Sequence, residues 1–200
     1  MANAIEKIQE EHKDYGRVLN ALRAGVKTLR GIEWRRQAGQ TPEAGADYRA
    51  TLDLLFSAVY YVRLFPDKYH HPKEEDFLFK AIRERRPDSA DLLDQLALQH
   101  SVGARLIDEL DASLKAYEKT HPDGLEALEA ATENFVTSQF DHMSLEEEKV
   151  IPLAKSVLTE ADWHTIDNAF LGNADPLFGE NLEAGFRMLH DHIVKGLNAA

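Results

Sequence analysis

Residues 69–79 read YHHPKEEDFLF: two histidines beside a proline, two acids, then bulky apolar residues. Residues 140–153, FDHMSLEEEKVIPL, follow a similar order of histidine, glutamate run and apolar residues. The chain therefore writes H-x-x-x-E twice, as His70–Glu74 and His142–Glu146, each time leading into side chains suited to a core. On a helix, positions i and i+4 differ by only roughly 40° around the axis, so each pair shares one face.

Working outward, helical periodicity dominates. Ile5, Ile8, His12, Tyr15, Leu19, Leu22, Val26 and Leu29 recur at steps of three and four. Leu93, Leu96, His100, Gly103, Ile107, Leu110, Leu114 and Tyr117 repeat the pattern, as do Leu125, Leu128, Thr132, Phe135, Gln139, His142, Glu146 and Leu153. The second stripe is rougher: Leu52, Leu55, Val59 and Val62 lead to Pro66, the histidine pair with Pro72, and Phe77 to Ile82. Breakers separate the stripes. GQTPEAGAD (Gly39 to Asp47) reads as a loop, RPDS (Arg86 to Ser89) as a helix end and cap, and HPDG (His121 to Gly124) as a turn. Nothing alternates with period two. The expectation is an all-α protein, an up-down-up-down four-helix bundle over residues 1–156, with a helical C-terminal appendage over 157–200 packed on it. That appendage is expected to hold helices near Glu160 to Phe170 and Asn181 to Leu197, joined by GNADPLFGE.

Composition narrows the function. The formal net charge of −12 argues against nucleic acid, which needs a basic face. No apolar run approaches the roughly 20 residues of a membrane span, and MANAIEKIQEEHKDYG lacks the apolar stretch of a signal peptide. A cytoplasmic location is the expectation. With no cysteine there can be no disulfide, thiolate metal site or thiol nucleophile.

The polar residues on the stripes share one depth. His12 and His100 lie about ten residues into the first and third helices, and Glu74 and Glu146 about ten from the ends of the second and fourth. In an antiparallel bundle all four then sit roughly 15 Å from the same end. His70 and His142 lie one turn deeper. The organisation also repeats, since Glu11–Leu22 aligns with Gln99–Leu110 just as the two H-x-x-x-E stretches align. Carboxylates and imidazoles converging in a core are very costly unless paired. A metal pair resolves the conflict: carboxylates bridge two cations and imidazoles complete each sphere, a donor set that suits iron, zinc or manganese.

The order His12, His70-x-x-x-Glu74, His100, His142-x-x-x-Glu146, with HHPKEEDFLF, QHSVGARL and HMSLEEEKVIPLA around it, resembles the hemerythrin-like cation-binding (HHE) family over about residues 5–155. The resemblance implies a four-helix bundle holding two non-heme irons, oxo- or hydroxo- and carboxylate-bridged. His12, His70, His100 and His142 would be terminal ligands and Glu74 and Glu146 bridges. His71 is either a further ligand or a hydrogen-bonding neighbour of a bridge. Two departures stand out. Oxygen-carrying hemerythrins place a second histidine four residues from the third-helix histidine, where this chain has Leu96 and Ala104, and end on H-x-x-x-x-D rather than H-x-x-x-E.

The resemblance implies a protein that binds or reacts with O2, peroxide or NO, its partner being a small diatomic or peroxide ligand. Alternatives are a catalase-like or peroxide-reducing di-iron enzyme, an iron store or sensor, and a metal-free interaction bundle. Zinc is an alternative occupant in recombinant material. Glu75 and Glu147 are expected at the solvent or site edge. Tyr15 and Tyr69 read as packed rings with satisfied hydroxyls. His121, His164, His190 and His192 read as loop or surface residues, and Trp34 and Trp163 as packing against the appendage.

Overall fold

The apolar stripes do form helices. The structure, a computed structural model, describes residues 3–40, 44–171 and 191–196. Among these residues there is no strand. Helix α1 spans Asn3–Gln37 and buries its predicted stripe from Ile5 to Leu29. It stops where Gly39 takes φ 71°, with Gln40 N–H reaching Arg35 O and Gly39 N–H reaching Arg36 O. That left-handed glycine and its paired bonds satisfy carbonyls that the helix end leaves open. The expected 39–47 loop is shorter than the sequence suggested, because α2, Ala44–Phe65, begins inside it.

The second rod continues through 44–85 by changes of helical pitch. After α2 come a π-helical turn Pro66–His70, the short helix α3 at His71–Lys73, a second π-turn Glu74–Phe79, and α4 at Lys80–Arg85. A 3₁₀ turn, Pro87–Ser89, leads into α5, Ala90–Thr120. Ser89 stands at the cap position but does not cap α5; its hydroxyl donates back to Arg86 O at 2.7 Å. After the 121–124 turn come α6 (Leu125–Leu145), a third π-turn (Glu146–Val150), α7 (Ile151–Val157) and α8 (Glu160–Leu171).

Proline explains two of the three π-turns. Pro72 and Pro152 each stand two residues past a π-turn. A proline inside a helix lacks an N–H and clashes with the carbonyl four residues back, so the chain relieves it by widening the turn. His71 N–H then reaches Pro66 O and Ile151 N–H reaches Glu146 O, five residues back in each case.

The rods pack as a closed ring: α1 against α2 and α6, and α5 against α2 and α6. Two apolar clusters fill it. The larger runs from Tyr15 to Ile32 on α1, with Leu52 to Phe65, Ile107 to Tyr117 and Leu125 to Met143. The smaller joins Ile5, Ile8, Leu78, Ile82, Leu93, Leu96, Val150, Ala154, Ile166 and Phe170. On each rod the predicted histidines and glutamates fall where the larger cluster gives way to the smaller. The polar layer is thus sealed by apolar residues above and below.

Helix α8 lies on α1 and on the Glu74–Phe79 turn. Ala4 N–H donates to Asp167 Oδ1 at 2.8 Å, and Arg85 holds Asp162 through two bonds of 2.9 and 3.0 Å. Residues 191–196 are helical and set Ile193 in the larger cluster. GNADPLFGE, the rest of the expected helix near Asn181–Leu197, and His190 lie outside the described residues. Trp163 packs partly buried on the smaller cluster, whereas Trp34, expected to pack likewise, is 65 % exposed near the end of α1. No described helix is long and apolar enough to cross a membrane.

Candidate metal centre

The polar layer brings together all seven residues singled out by the sequence: His12, His70, His71, Glu74, His100, His142 and Glu146, each buried. They fall into two groups able to hold a cation, His71/Glu74/His100/His142 and His12/His70/Glu74/Glu146, with ligand atoms in each group within 4.8 Å of one another. Glu74 belongs to both, and its two oxygens face different groups. Oε1 lies 2.9 Å from His70 Nε2 and 3.9 Å from His12 Nε2, while Oε2 lies 3.6 Å from His100 Nε2. Glu146 belongs to one group. Its Oε2 lies 3.2 Å from His12 Nε2 and 3.7 Å from His142 Nε2.

The inclusion of His71 follows from the wide turn before it. More residues per turn means a smaller angle between neighbours, so His70 and His71 both face inward. Its counterpart in the second half of the chain is Met143, and only the first half supplies a histidine pair. One group therefore holds three imidazoles and the other two.

Each imidazole that aims Nε2 inward has an acceptor at Nδ1. His12 meets Glu147 Oε1 at 3.1 Å, His70 meets Glu11 Oε2 at 2.7 Å, His100 meets Glu75 Oε1 at 2.6 Å and His142 meets Gln99 Oε1 at 3.2 Å. Nδ1 donates in each pair, fixing the tautomer that leaves the Nε2 lone pair for a metal, as supporting carboxylates do around bound metals. For His71 the acidic neighbour is Asp67, 3.8 Å from Nδ1. The pairing repeats across the two halves: the residue before one histidine supports the histidine of the next rod, and the residue after each glutamate likewise supports the histidine of the next rod around the ring. Sequence reading left Glu11, Gln99 and Asp67 out. The available signal was adjacency, since Glu11 and Gln99 each precede a candidate ligand.

Inside the layer the chain leaves its own groups unsatisfied. His70 Nε2, His100 Nε2, His142 Nε2 and all four oxygens of Glu74 and Glu146 are buried without a hydrogen bond. His70 Nε2 and Glu74 Oε1 are close but misaligned. Such a set would cost several kcal/mol if nothing joined it. Lone pairs converging on two small volumes, in imidazole and carboxylate chemistry, fit cations.

Titration in the metal-free protein follows the same layout. Burial, then the charge of Glu146, push the Glu74 carboxyl above its usual range. Burial also pushes Glu146 up, but His12 and His142 outweigh it and hold it at about 2. Burial pulls His70 down, but Glu74 and Glu11 lift it well above the ordinary value. His71 is pushed well below, by burial and then by the neighbouring imidazoles, and burial carries His142 to about 4. His71 and His142 thus stand neutral at pH 7, ready to donate lone pairs.

Tyr15 donates its hydroxyl to Gln139 Oε1 at 3.0 Å, so its hydroxyl is satisfied as expected. Gly103 makes room for that amide: a Cβ there would lie 2.6 Å from Gln139 Nε2. Tyr69 carries Lys73 Nζ over its ring at 3.5 Å. His121, in the 121–124 turn, bonds to the buried Glu33, while His164 and His192 are exposed.

An all-helical chain with a sealed layer of paired imidazoles and carboxylates is the architecture of a metal-binding helical protein. The chain belongs to the hemerythrin family: the model of the hemerythrin HHE cation-binding domain matches residues 3–154. No curated protein matches the chain.

Proposed function

We propose that this is a non-heme di-iron protein that binds or reduces a small oxidant, O2, peroxide or NO, with His71, His100 and His142 on one iron, His12, His70 and Glu146 on the other, and Glu74 between them. One observation carries the two-metal reading: the two oxygens of Glu74 face different imidazole groups, as a bridging carboxylate requires and a ligand of a single ion does not. When bound, a ferrous pair supplies two electrons to one small oxidant. The residues of the chain do the rest. Glu74 sets the separation of the two positions. Glu147, Glu11, Glu75 and Gln99 keep the imidazoles in the Nδ1–H tautomer. The apolar clusters above and below the layer keep bulk water from those two faces, which strengthens the charge interactions inside it. Each group offers four residues, fewer than a six-coordinate iron needs, so positions remain for an exogenous ligand.

The same reading takes the rods as an up-down-up-down bundle. Arg23 meets Glu133 while Arg30 meets Glu129, so numbers rise on α1 as they fall on α6. The bundle is taken to end near Leu158, where the backbone becomes extended before α8.

Metal content and absorption of aerobically purified protein test this. Two irons per chain, with a near-ultraviolet band that bleaches under dithionite and responds to peroxide or NO, are expected. One ion per chain, or folded protein that refuses iron, overturns the reading.

A further inference from the structure

The two flanks of the polar layer are not alike. On the His70 side α8 closes the layer: the Phe170 ring stands edge-on to His70 at 6.3 Å. On the other side a cleft of about 370 Å³ opens between α5 and the start of α3, with Asp67, His71, Glu75, Asp76, His100 and Ala104 in its lining. Water occupies about 30 Å³ per molecule, so the cleft has room for a hydrated ion. Its floor is His71 and His100, two members of the three-imidazole group. The Nε2 of His100 is buried without a hydrogen bond, on a residue only 8 % exposed. Its walls carry three carboxylates, of Asp67, Glu75 and Asp76, and no lysine or arginine.

We propose that this cleft is the port through which divalent cations reach the centre, Asp76 and Asp67 drawing the hydrated ion in and His71 and His100 receiving it. The proposal rests on the metal-centre reading above and adds a route to it. Carboxylate walls favour a divalent cation over an anion, because a cleft with low-dielectric walls focuses the field of its charges. Asp67 stands 3.8 Å from His71 Nδ1, within one step of the floor. Glu75 is already engaged by His100 at 2.6 Å and steadies that imidazole instead. On the opposite flank α8 packs across α1 and the Glu74–Phe79 turn.

The test is the rate at which the metal-free full chain takes up Co2+, followed by stopped-flow absorption, with final content measured separately. Asp76→Asn is expected to slow uptake about threefold, and Asp67→Asn with Asp76→Asn about tenfold, at low salt. Wild-type uptake should slow as salt is raised, and the double variant should lose most of that dependence. Ala104→Phe, which fills the cleft without touching a charge, should also slow uptake. Asp76→Asn and Ala104→Phe should still reach wild-type content, which separates a route from a binding defect. Asp123→Asn, in the turn between α5 and α6, should change nothing. Wild-type rates in the double variant and in Ala104→Phe overturn the port, as does equal slowing by Asp123→Asn. Wild-type protein that takes up no cobalt overturns the metal centre itself.

Discussion

Replacing Glu74 with glutamine is the sharpest perturbation the centre offers. The residue is fully buried, shared by both groups, and nearly the same size as its replacement. A protein saturated about 1,000-fold above the dissociation constant of each cation gains about 4.1 kcal/mol per cation, or about 8 kcal/mol from the pair. For a chain of 200 residues each kcal/mol moves Tm by about 2–4 °C, so the metal-bound protein should melt about 16–33 °C above the metal-free one. Loss of a supporting residue alone costs about 10–100-fold in metal affinity. Loss of a shared ligand should cost at least that for each of two cations, or about 3–5 kcal/mol together. The gap should therefore shrink by about 6–20 °C. The metal-free variant should move the other way or not at all, because the amide removes a carboxyl that burial and Glu146 already disfavour in its charged form. Calorimetry of both forms beside elemental analysis reads all three quantities. Wild-type content with an unchanged gap would refute the shared-ligand reasoning.

Three further outcomes are expected. In the metal-free protein burial pulls His12 down, but its contacts with Glu146 and Glu147 carry it from 6.5 to about 9. A value raised on folding stabilises the fold fully below the unfolded value and loses that contribution as pH climbs through the folded one. Metal-free Tm should thus fall between pH 6.5 and 9, while Co2+ affinity rises over the same interval as His12 gives up its proton; a flat profile contradicts the assignment. Glu147→Gln should weaken metal binding about 10–100-fold in a competition titration while leaving two sites at saturation. Gly103→Ala puts a Cβ 2.6 Å from Gln139 Nε2, breaks the Tyr15–Gln139 bond, and should cost about 1–3 kcal/mol in denaturant unfolding.

The buried layer of histidines and glutamates was legible because it obeys helical arithmetic. His12, His100, Glu74 and Glu146 sit on stripes of known period, and equal depth on four rods needs only residue counts. The supporting partners were not legible for the opposite reason. Glu147 reaches His12 across 135 positions and Glu11 reaches His70 across 59, so neither contact has a local signature. His71 fell between these cases. Pro72 announced an irregular helix, but only the widened turn before it decides which way the second histidine faces. Trp34 shows the limit of reading a bulky residue at a segment end as a packing contact: it was expected against the appendage, yet it is 65 % exposed near the end of α1.

The π-turns have a consequence for phase. Each holds one residue more than an α-turn would, so the rod beyond it is rotated by about 100° from where an unbroken helix would point. The stripe of Leu125, Leu128 and Phe135 and the stripe of Val150, Ile151 and Ala154 belong to one rod but keep different clocks, and the turn at Glu146–Val150 resets one to the other. Taking out a single residue there would swing Ile151 and Ala154 off the smaller cluster. The irregular turns therefore act as couplings between two bundles of different register, and the metal layer sits at the joint.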